Sequence, residues 1–223
     1  MADKFEVPEI DRLWMAWNNV MIMMRNRKYE IGDDFIMTRE KFIEWTGEDL
    51  RDVRDTLYYV CGESSIPTER VVAIFWKETL GTADLQSVAE SMQTDNIVHA
   101  IIVHKNKITP HAAANLRLLK VQDITIETFN EIELQYNIID HEDVPQHIIC
   151  SIKTKNKIMT AYAINKEQIP KILITDPVIR HIGAVRGQLI KIVRVSDSIP
   201  EIPDITNPGQ KKILYDITYK IVS

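Results

Sequence analysis

The sequence predicts two domains of different class: an α/β domain over residues 1–143 and a small α+β domain over residues 144–223. Three observations support this division. A chain of 223 residues, 45% of them apolar, is long enough for two hydrophobic cores. Strand and helix patterns alternate in the first part, whereas the second ends in two long strand patterns. The first part holds 15 basic and 26 acidic residues, a net charge of −11, and the second holds 12 and 6, a net charge of +6.

The N-terminal part begins with a pattern of three helices. From residue 10 to 28, apolar side chains recur every three or four residues, which predicts a helix with one face in a core. Thr38 to Gly47 and Glu48 to Gly62 are predicted as two shorter helices, each ended by a glycine. The apolar residues expected to point inward from them are Phe42, Trp45, Leu50, Val53, Leu57 and Tyr58.

The same part continues with alternating strands and helices. Val71 to Trp76 and Ile97 to Val103 are short apolar runs typical of strands, with a predicted helix at Leu85 to Met92 between them. This order predicts a right-handed strand–helix–strand unit. A second helix is expected from Thr109-Pro110 to about Leu119, and a third strand from Ile124 to Phe129. An α/β domain follows from this alternation.

The clearest local pattern of the C-terminal part lies between Asp176 and Gly187. Asp176 is a suitable N-cap for a short helix whose first residue is Pro177, because proline gives up only an amide that the helix leaves unpaired. Gly183 can end that helix in a left-handed conformation. Gly187 is expected to open the following strand.

Two strands follow that helix. The β-branched run from Gln188 to Val195 and the alternating run from Lys212 to Val222 are predicted to pair antiparallel under the Asp176 helix, giving a short, mostly antiparallel sheet. The proline-bearing connection Ile199 to Gln210 is expected to be an extended surface excursion without ladder hydrogen bonds. A further helix is predicted from Thr154 to Tyr162.

Composition excludes several protein classes. No run approaches the roughly 20 apolar residues of a membrane-spanning helix, and the N-terminal segment lacks the layout of a signal peptide. A soluble protein inside the cell is therefore expected, with no membrane partner. Cys61 and Cys150 are too few for a disulfide framework and are interpreted as reduced thiols. A net charge of −5 argues against general adhesion to DNA.

One segment departs from its acidic surroundings. From Asn96 to Gln122 there is no carboxylate, and the loop from Lys105 to His111 carries two lysines before a helix capped by Thr109. Exposed amides and the helix dipole make such a helix start suitable for a phosphate group. The alternative is an ordinary strand-to-helix loop whose lysines are simply solvated.

Several motifs together resemble one known family. Its signature is matched by Asp176-Pro177-Val178, Gly183, Arg186-Gly187, Lys191, Arg194 and Ser196-x-Ser198. Four further matches are Ile10-x-Arg12-Leu13-Trp14, Ile126 to Asn130, His141 to His147, and Gln168 to Ile172. The chain thus resembles RNA polymerase subunit five, the subunit shared by the nuclear polymerases, which has a counterpart in the archaeal enzyme. In three places it departs from the family: His111 replaces a serine in the Thr-Pro-Ser-Ala segment, the connection Ile199 to Gln210 replaces a usually short Ala-Gly turn, and Lys220 replaces an arginine.

The resemblance implies a non-catalytic subunit of a multisubunit DNA-dependent RNA polymerase. The N-terminal domain would have a degenerate nuclease-like fold and form a jaw near downstream duplex DNA, and the C-terminal domain would dock on the largest subunit. The implied DNA-facing residues are Lys105, Lys107, Thr109, His111 and Asn115. The implied docking residues are Arg180, Arg186, Lys191, Arg194 and Ser196, with Asp176, Pro177, Gly183 and Gly187 as structural residues. No catalytic residue, metal, cofactor or homo-oligomer is expected. The implied location is the nucleus, or a virion or cytoplasmic viral factory for a viral protein.

Two other functions remain open on the sequence. A stand-alone nuclease would need an Asp/Glu-x-Lys metal site, and no such triplet occurs in the chain. A two-domain adaptor without DNA contact is the second alternative. His141, His147 and Cys150 suggest zinc at first sight, but no paired Cys-x-x-Cys accompanies them, which favours capping or structural histidines.

Overall fold

A computed structural model describes residues 7–47, 53–54, 57–63, 66–76, 79–119, 124–195, 202–203, 211–212 and 215–223. The chain divides into two compact units, Met1–Tyr136 and Asn137–Ser223. This division comes before the predicted boundary at 143/144, because the 3₁₀ turn Ile138–Asp140 packs on the helix Pro177–His181 of the second unit. Within these described ranges, no helix is both long and apolar enough to cross a membrane.

A four-stranded sheet forms the centre of the N-terminal unit. β1 (Tyr58–Glu63), β2 (Ile66–Trp76), β3 (His99–His104) and β4 (Thr125–Asn130) lie side by side in that order. β1 is antiparallel to β2, while β2, β3 and β4 are parallel to one another. Parallel neighbouring strands need a crossover connection between them. The helix predicted between β2 and β3 is present at Thr82–Thr94. The predicted order strand, helix, strand is thus confirmed, together with the parallel pairing of the two strands.

Helices cover both faces of this sheet. α1 (Glu9–Asn26) and α2 (Arg39–Thr46) pack on one face, while α3 (Thr82–Thr94) and α4 (Pro110–Leu119) pack on the other. Successive residues of a strand point to opposite faces, so β2 contributes to two cores. The core under α1 and α2 contains Trp17, Met21, Phe42, Val71, Ala73, Phe75, Ile101 and Phe129. The core under α3 and α4 contains Val72, Leu85, Met92, Ala100, Ile102, Ala112 and Ile126.

The predicted helix Glu48 to Gly62 is wrong at its C-terminal end. Tyr58–Glu63 forms β1, an edge strand whose backbone pairs with β2. The aromatic and β-branched residues at its start favour extended structure, and this pairing outweighs the local helical spacing. Gly62 lies at a register irregularity of the strand and does not end a helix. Tyr58 is 49% exposed.

Two other inward predictions from these helices have different outcomes. Trp45 is 45% exposed and packs by its ring against Trp17 and Phe42. It therefore covers the core edge instead of entering the core. Leu50 lies outside the described residues. The remaining predicted inward residues are buried: Phe42, Val53 and Leu57.

The C-terminal unit contains a second four-stranded sheet. Its order is β5 (Gln146–Ile149), β7 (Leu189–Val195), β10 (Tyr215–Val222) and β6 (Lys171–Ile172). β7 is antiparallel to β5 and β10, and β6 is parallel to β10. The predicted antiparallel pairing of the two long strands is therefore confirmed. The short strands β5 and β6 were not predicted.

Two helices complete this unit. α5 (Ile152–Ala161) packs near Leu189 and Ile221 on one face of the sheet. α6 (Pro177–His181) contributes Ile179 to the other core. That second core also contains Ile172, Ala184, Ile190, Ile192 and Val222.

The connection Ile199 to Gln210 contains a strand that the sequence did not predict. β8 (Ile202–Pro203) pairs antiparallel with β9 (Lys211–Lys212), so the expectation of a connection without ladder pairing is wrong. Pro203 lacks an amide, but its carbonyl can still accept a ladder hydrogen bond. Ser196 and Ser198, matched to the family signature, lie outside the described residues.

Candidate nucleic-acid and protein interfaces

The loop between β3 and α4 carries the residues predicted to face DNA. Thr109 caps α4, since its Oγ1 accepts a hydrogen bond from the backbone N of Ala112 at 3.2 Å. The backbone N of Thr109 donates to the carbonyl of Leu80 at 3.2 Å, and Ile108 forms a parallel bridge with Leu80. Asn130 Nδ2 lies 3.5 Å from the carbonyl oxygen of Lys105 at the other end of the loop. The loop is therefore tied down at both ends.

The five predicted DNA-facing residues lie in this loop and on the helix after it. Lys105, Lys107 and His111 are exposed, and Thr109 and Asn115 are half-buried. His111 and Asn115 are four residues apart and so share one face of α4. The structure thus gathers the predicted set into one short region of the N-terminal unit.

Lys105 already has a partner. Its Nζ lies 2.7 Å from Oε1 of Glu9, the first residue of α1, and the same oxygen accepts from Arg54 Nη2 at 2.9 Å. The hydrogen bond from Lys105, followed by the one from Arg54, lowers the pKa of Glu9. Lys107 has no ion pair with any residue that the structure describes. Of the two lysines, Lys107 is the one with an uncommitted charge.

Behind Glu9 lies a buried ion pair. Arg54 Nη1 and Glu131 Oε2 are 2.7 Å apart, and each side chain is only 4% exposed. The two atoms are in ion-pair contact without the alignment of a hydrogen bond. Arg12 Nε lies 3.8 Å from the other oxygen of Glu131. Glu9, Arg54, Glu131 and Arg12 therefore form a continuous charged chain beneath the loop.

The family-like segment Ile126 to Asn130 has a second charged cluster. Glu127 accepts two hydrogen bonds from Arg27, at 2.8 and 2.9 Å, and lies 2.7 Å from His99 Nε2. The hydroxyl of Tyr29 is 3.1 Å from the other ring nitrogen of His99. Burial alone would raise the pKa of Glu127, but the His99 hydrogen bond and the Arg27 charge outweigh it and lower the pKa to about 2. Because a carboxylate only accepts, His99 donates from Nε2.

In the C-terminal unit, the Asp176 pattern forms the predicted cap. Asp176 Oδ1 accepts from the backbone N of Val178 at 2.9 Å and of Ile179 at 3.3 Å, and Pro177 is the first residue of α6. Gly183 follows the helix with a φ of +68°, where a side chain is disfavoured.

Gly187 connects three parts of the unit. Its φ is +87°, its N donates to the carbonyl of Val222 at 2.9 Å, and its carbonyl accepts from Lys155 Nζ at 2.7 Å. The glycine thus fixes the turn before β7 against both β10 and α5.

The predicted docking cations do not lie on one surface. Lys191 and Arg194 both belong to β7, but an odd spacing puts them on opposite faces of the sheet. Arg186 is exposed in the turn before β7, and Arg180 is half-buried at the last turn of α6. The structure therefore offers several separate cationic positions.

Two contacts in these regions are not predicted by the sequence. The pairing of Lys105 with Glu9 joins residues 96 positions apart, and no local pattern indicates it. Lys155 and Lys166 approach Gly187 from two different elements. Lys155 is one of the lysines at the start of α5, but no sequence pattern indicates that it and Lys166 converge on that glycine.

The histidines considered for zinc make local contacts. His147 Nδ1 lies 2.7 Å from the carbonyl of Pro145, and His141 Nδ1 accepts from the backbone N of Asp143 at 3.3 Å. In the described ranges, no three His, Cys, Asp or Glu side chains come together as a metal site would require.

Two family models match separate parts of the chain. The model described as RNA polymerase Rpb5, N-terminal domain, matches residues 7–92. The model described as RNA polymerase Rpb5, C-terminal domain, matches residues 136–202. Together the two matches extend over more than half of the sequence and over both structural units.

Similar proteins carry consistent names. The "DNA-directed RNA polymerases I, II, and III subunit RPABC1" of Caenorhabditis briggsae is 30% identical over 195 residues, 85% of this chain and 92% of the relative. The corresponding Dictyostelium discoideum subunit is 32% identical over 194 residues, covering 85% and 93%. "DNA-directed RNA polymerase subunit 5-like protein 1" of Arabidopsis thaliana is 30% identical over 191 residues, covering 83% and 90%. With both domains matched and the relatives covered almost end to end, this chain belongs to the RNA polymerase Rpb5 family.

Proposed function

We propose that the chain is a non-catalytic subunit of a multisubunit DNA-directed RNA polymerase that acts in the nucleus. The observation that carries this proposal is that both halves of the chain match the two domains of one polymerase subunit family. The names of the relatives, which are subunits of DNA-directed RNA polymerases, support the same function. Catalysis then belongs to other subunits.

The C-terminal unit is proposed to dock on the largest subunit. Residues 144–223, which make up most of this unit, carry a net charge of +6, and this charge suits an acidic protein surface. Near the end of β7 the side chains of Arg194 and Val195 are exposed, as is that of Ile217 on the neighbouring strand β10. Exposed apolar side chains favour a protein interface, so a protein partner fits this unit better than DNA does.

The N-terminal unit is proposed to form a jaw next to downstream duplex DNA. Lys107 and His111 are exposed at the loop before α4, and the surrounding unit is acidic. A mainly acidic unit with one basic tip can touch phosphates locally without holding the duplex tightly. The neutral imidazole of His111 can still hydrogen-bond a phosphate in place of the family's serine.

We further propose that the N-terminal unit is a nuclease-like scaffold without nuclease activity. Three parallel strands with helices on both faces support this relationship. The stand-alone nuclease is not favoured, since the sequence holds no Asp/Glu-x-Lys triplet to position a metal ion. Magnesium-dependent cleavage of DNA by the purified chain would contradict this proposal.

Affinity purification of the tagged chain from its host tests the main proposal. Polymerase subunits, including the largest, should copurify in stoichiometric amounts. Charge reversal of two exposed cations, Arg186→Glu with Arg194→Glu, should reduce their recovery, because both would then repel an acidic partner. Lys153→Glu with Lys157→Glu changes the charge equally on α5 and serves as the matched control.

The two outcomes of that experiment separate the claims. Absence of polymerase subunits from the wild-type purification would reject the proposed function. Full recovery with the Arg186/Arg194 variant would leave the function standing but exclude these two residues from the interface.

A further inference from the structure

A groove in the C-terminal unit brings three cations together. It has a volume of about 680 Å³, which is in the roughly 300–1,000 Å³ range of binding clefts. Its charged lining residues are Lys155, Lys166 and Arg186. None of the described residues that line it carries a carboxylate. The described lining of the groove is therefore positively charged.

Two of these cations are held close to one backbone position. Lys155 Nζ donates to the carbonyl of Gly187 at 2.7 Å. Lys166 Nζ lies 3.9 Å from the point that a Cβ on Gly187 would occupy. Like charges brought to the same place repel one another, and an anion between them relieves that repulsion. The arrangement suits a ligand carboxylate near Gly187.

The rim of the groove also presents apolar surface. Ile152 is 79% exposed and Ile149 is 38% exposed, and both line the groove. Large aliphatic side chains with this exposure favour a partner that covers them. The described part of the lining contains no aromatic ring, although single-stranded nucleic acid is usually bound on such rings. Exposed apolar side chains and cations in one groove together favour a protein segment over a nucleic acid.

We propose that this groove binds an extended acidic segment of another polymerase subunit, with a carboxylate beside Gly187 and an apolar side chain against Ile149 and Ile152. The proposal rests on the proposed function, because it takes the partner to be a polymerase subunit. It adds the location of the contact and the chemistry of the segment. Lys155 and Lys166 thereby join Arg186 as residues of the protein interface.

Site-specific cross-linking in the assembled polymerase tests the proposal. A photoreactive amino acid is placed at Asn156, an exposed residue of the groove, and at Lys153 as a control on the same helix outside it. After irradiation, the captured peptide is identified by mass spectrometry. The expected product joins residue 156, and not residue 153, to a segment of another subunit that contains Asp or Glu and an apolar residue.

A synthetic copy of the captured peptide then provides the binding measurement. Its affinity for the full chain should fall at least about tenfold with Lys166→Glu plus Arg186→Glu, because two attractive charges become repulsive. The Lys153→Glu plus Lys157→Glu variant should bind as the wild type does. Added salt should also weaken binding.

The outcomes distinguish the groove proposal from the proposed function on which it rests. Suppose that the chain copurifies with the polymerase. The groove proposal is then overturned, and the proposed function stands, if residue 156 captures nothing. The same holds if it captures a nucleic acid, a second copy of this chain or a segment without carboxylates. Unchanged peptide affinity in the charge-reversal variant would overturn it as well. If the unmodified chain does not copurify with polymerase subunits, both proposals fail.

Discussion

Arg27 and Glu127 are 100 positions apart in the sequence and form a two-pronged ion pair, with N–O distances of 2.8 and 2.9 Å. The Arg27 side chain is almost fully buried, so its charge depends on this carboxylate. The pair ties the end of α1 to β4, the strand whose last residue, Asn130, lies against Lys105 in the loop with the predicted DNA-facing residues.

We predict that Glu127→Gln lowers the free energy of unfolding of the N-terminal unit by about 3 kcal/mol at pH 7, as removal of one member of a buried pair generally does. The wild-type carboxylate has its pKa lowered from 4.5 to about 2, so its contribution is complete above pH 4.5 and is lost as pH falls toward 2. The difference between variant and wild type should therefore shrink between pH 4.5 and pH 2. Urea unfolding, monitored by tryptophan fluorescence, measures this difference in unfolding free energy, because all four tryptophans lie within residues 1–143.

Glu90→Gln is the control for this measurement, since Glu90 is exposed on α3 and should change stability by less than about 0.5 kcal/mol. An equal loss at pH 7 and at pH 3 in Glu127→Gln would contradict the ionic explanation.

The buried pair of Arg54 and Glu131 gives a second prediction. Glu131→Gln leaves the Arg54 charge with a weaker partner in the interior and should destabilise the N-terminal unit by about 3 kcal/mol. Arg54→Met should lower the stability of the N-terminal unit by a similar amount. The double variant Arg54→Met with Glu131→Leu should be less destabilised than the sum of the single changes, because no buried charge then remains unpaired at this site. The same tryptophan transition reports all three variants, and simple additivity would refute the coupling.

A third prediction separates the two lysines of the loop. Since Lys105 is already paired with Glu9, Lys107→Glu should weaken downstream-DNA association of the assembled polymerase more than Lys105→Glu does. The loss should be largest at low salt and should narrow as added salt screens the contact. Transcription of templates with long downstream duplexes, measured across a salt series, detects it. Lys41→Glu, an exposed charge reversal on α2, is the control.

Glu9→Gln extends the test of this loop. The substitution removes the carboxylate that binds Lys105, so DNA association should become equal to or stronger than that of the wild type. Unchanged transcription at every salt concentration, in both lysine variants, would exclude the loop from DNA contact.

The fourth prediction concerns the cap of α6. Asp176→Ala removes the acceptor for two backbone amides and should destabilise the C-terminal unit by about 1 kcal/mol, whereas Asp176→Asn retains a capping oxygen and should cost much less. Amide hydrogen exchange over residues 177–195 measures the effect without relying on tryptophan. Equal exchange rates in the two variants would argue against a capping role.

Local patterns predicted much of this fold because the relevant forces act over short distances. The cap at Asp176, the left-handed Gly183 and the strand–helix–strand unit all follow from neighbouring residues. β1 was misassigned because its stability comes from β2, and only pairing decides between a helix and an edge strand. β6 has two residues and therefore no periodicity to detect.

The sequence indicates which types of residue belong to the candidate sites. It does not indicate which of them share a surface. The structure contains the predicted strand-to-helix loop before α4, but the partner of Lys105 comes from the start of α1. The predicted docking cations lie in one continuous stretch of sequence, and the alternation of β7 separates two of them onto opposite faces. The groove combines residues from α5, the turn near Lys166 and the turn at Gly187, which only the tertiary fold brings together.

The position of β10 has a consequence for how the C-terminal unit folds. β10 lies between β7 and β6, although both precede it in the chain. Until Tyr215–Val222 is in place, β7 has an unpaired edge and β6 has no neighbour in the sheet. The sheet should therefore form in one cooperative step, at a rate limited by contacts that are distant in sequence. A nascent chain that stops before β10 exposes an apolar strand edge, which makes it a substrate for chaperones and prone to aggregation.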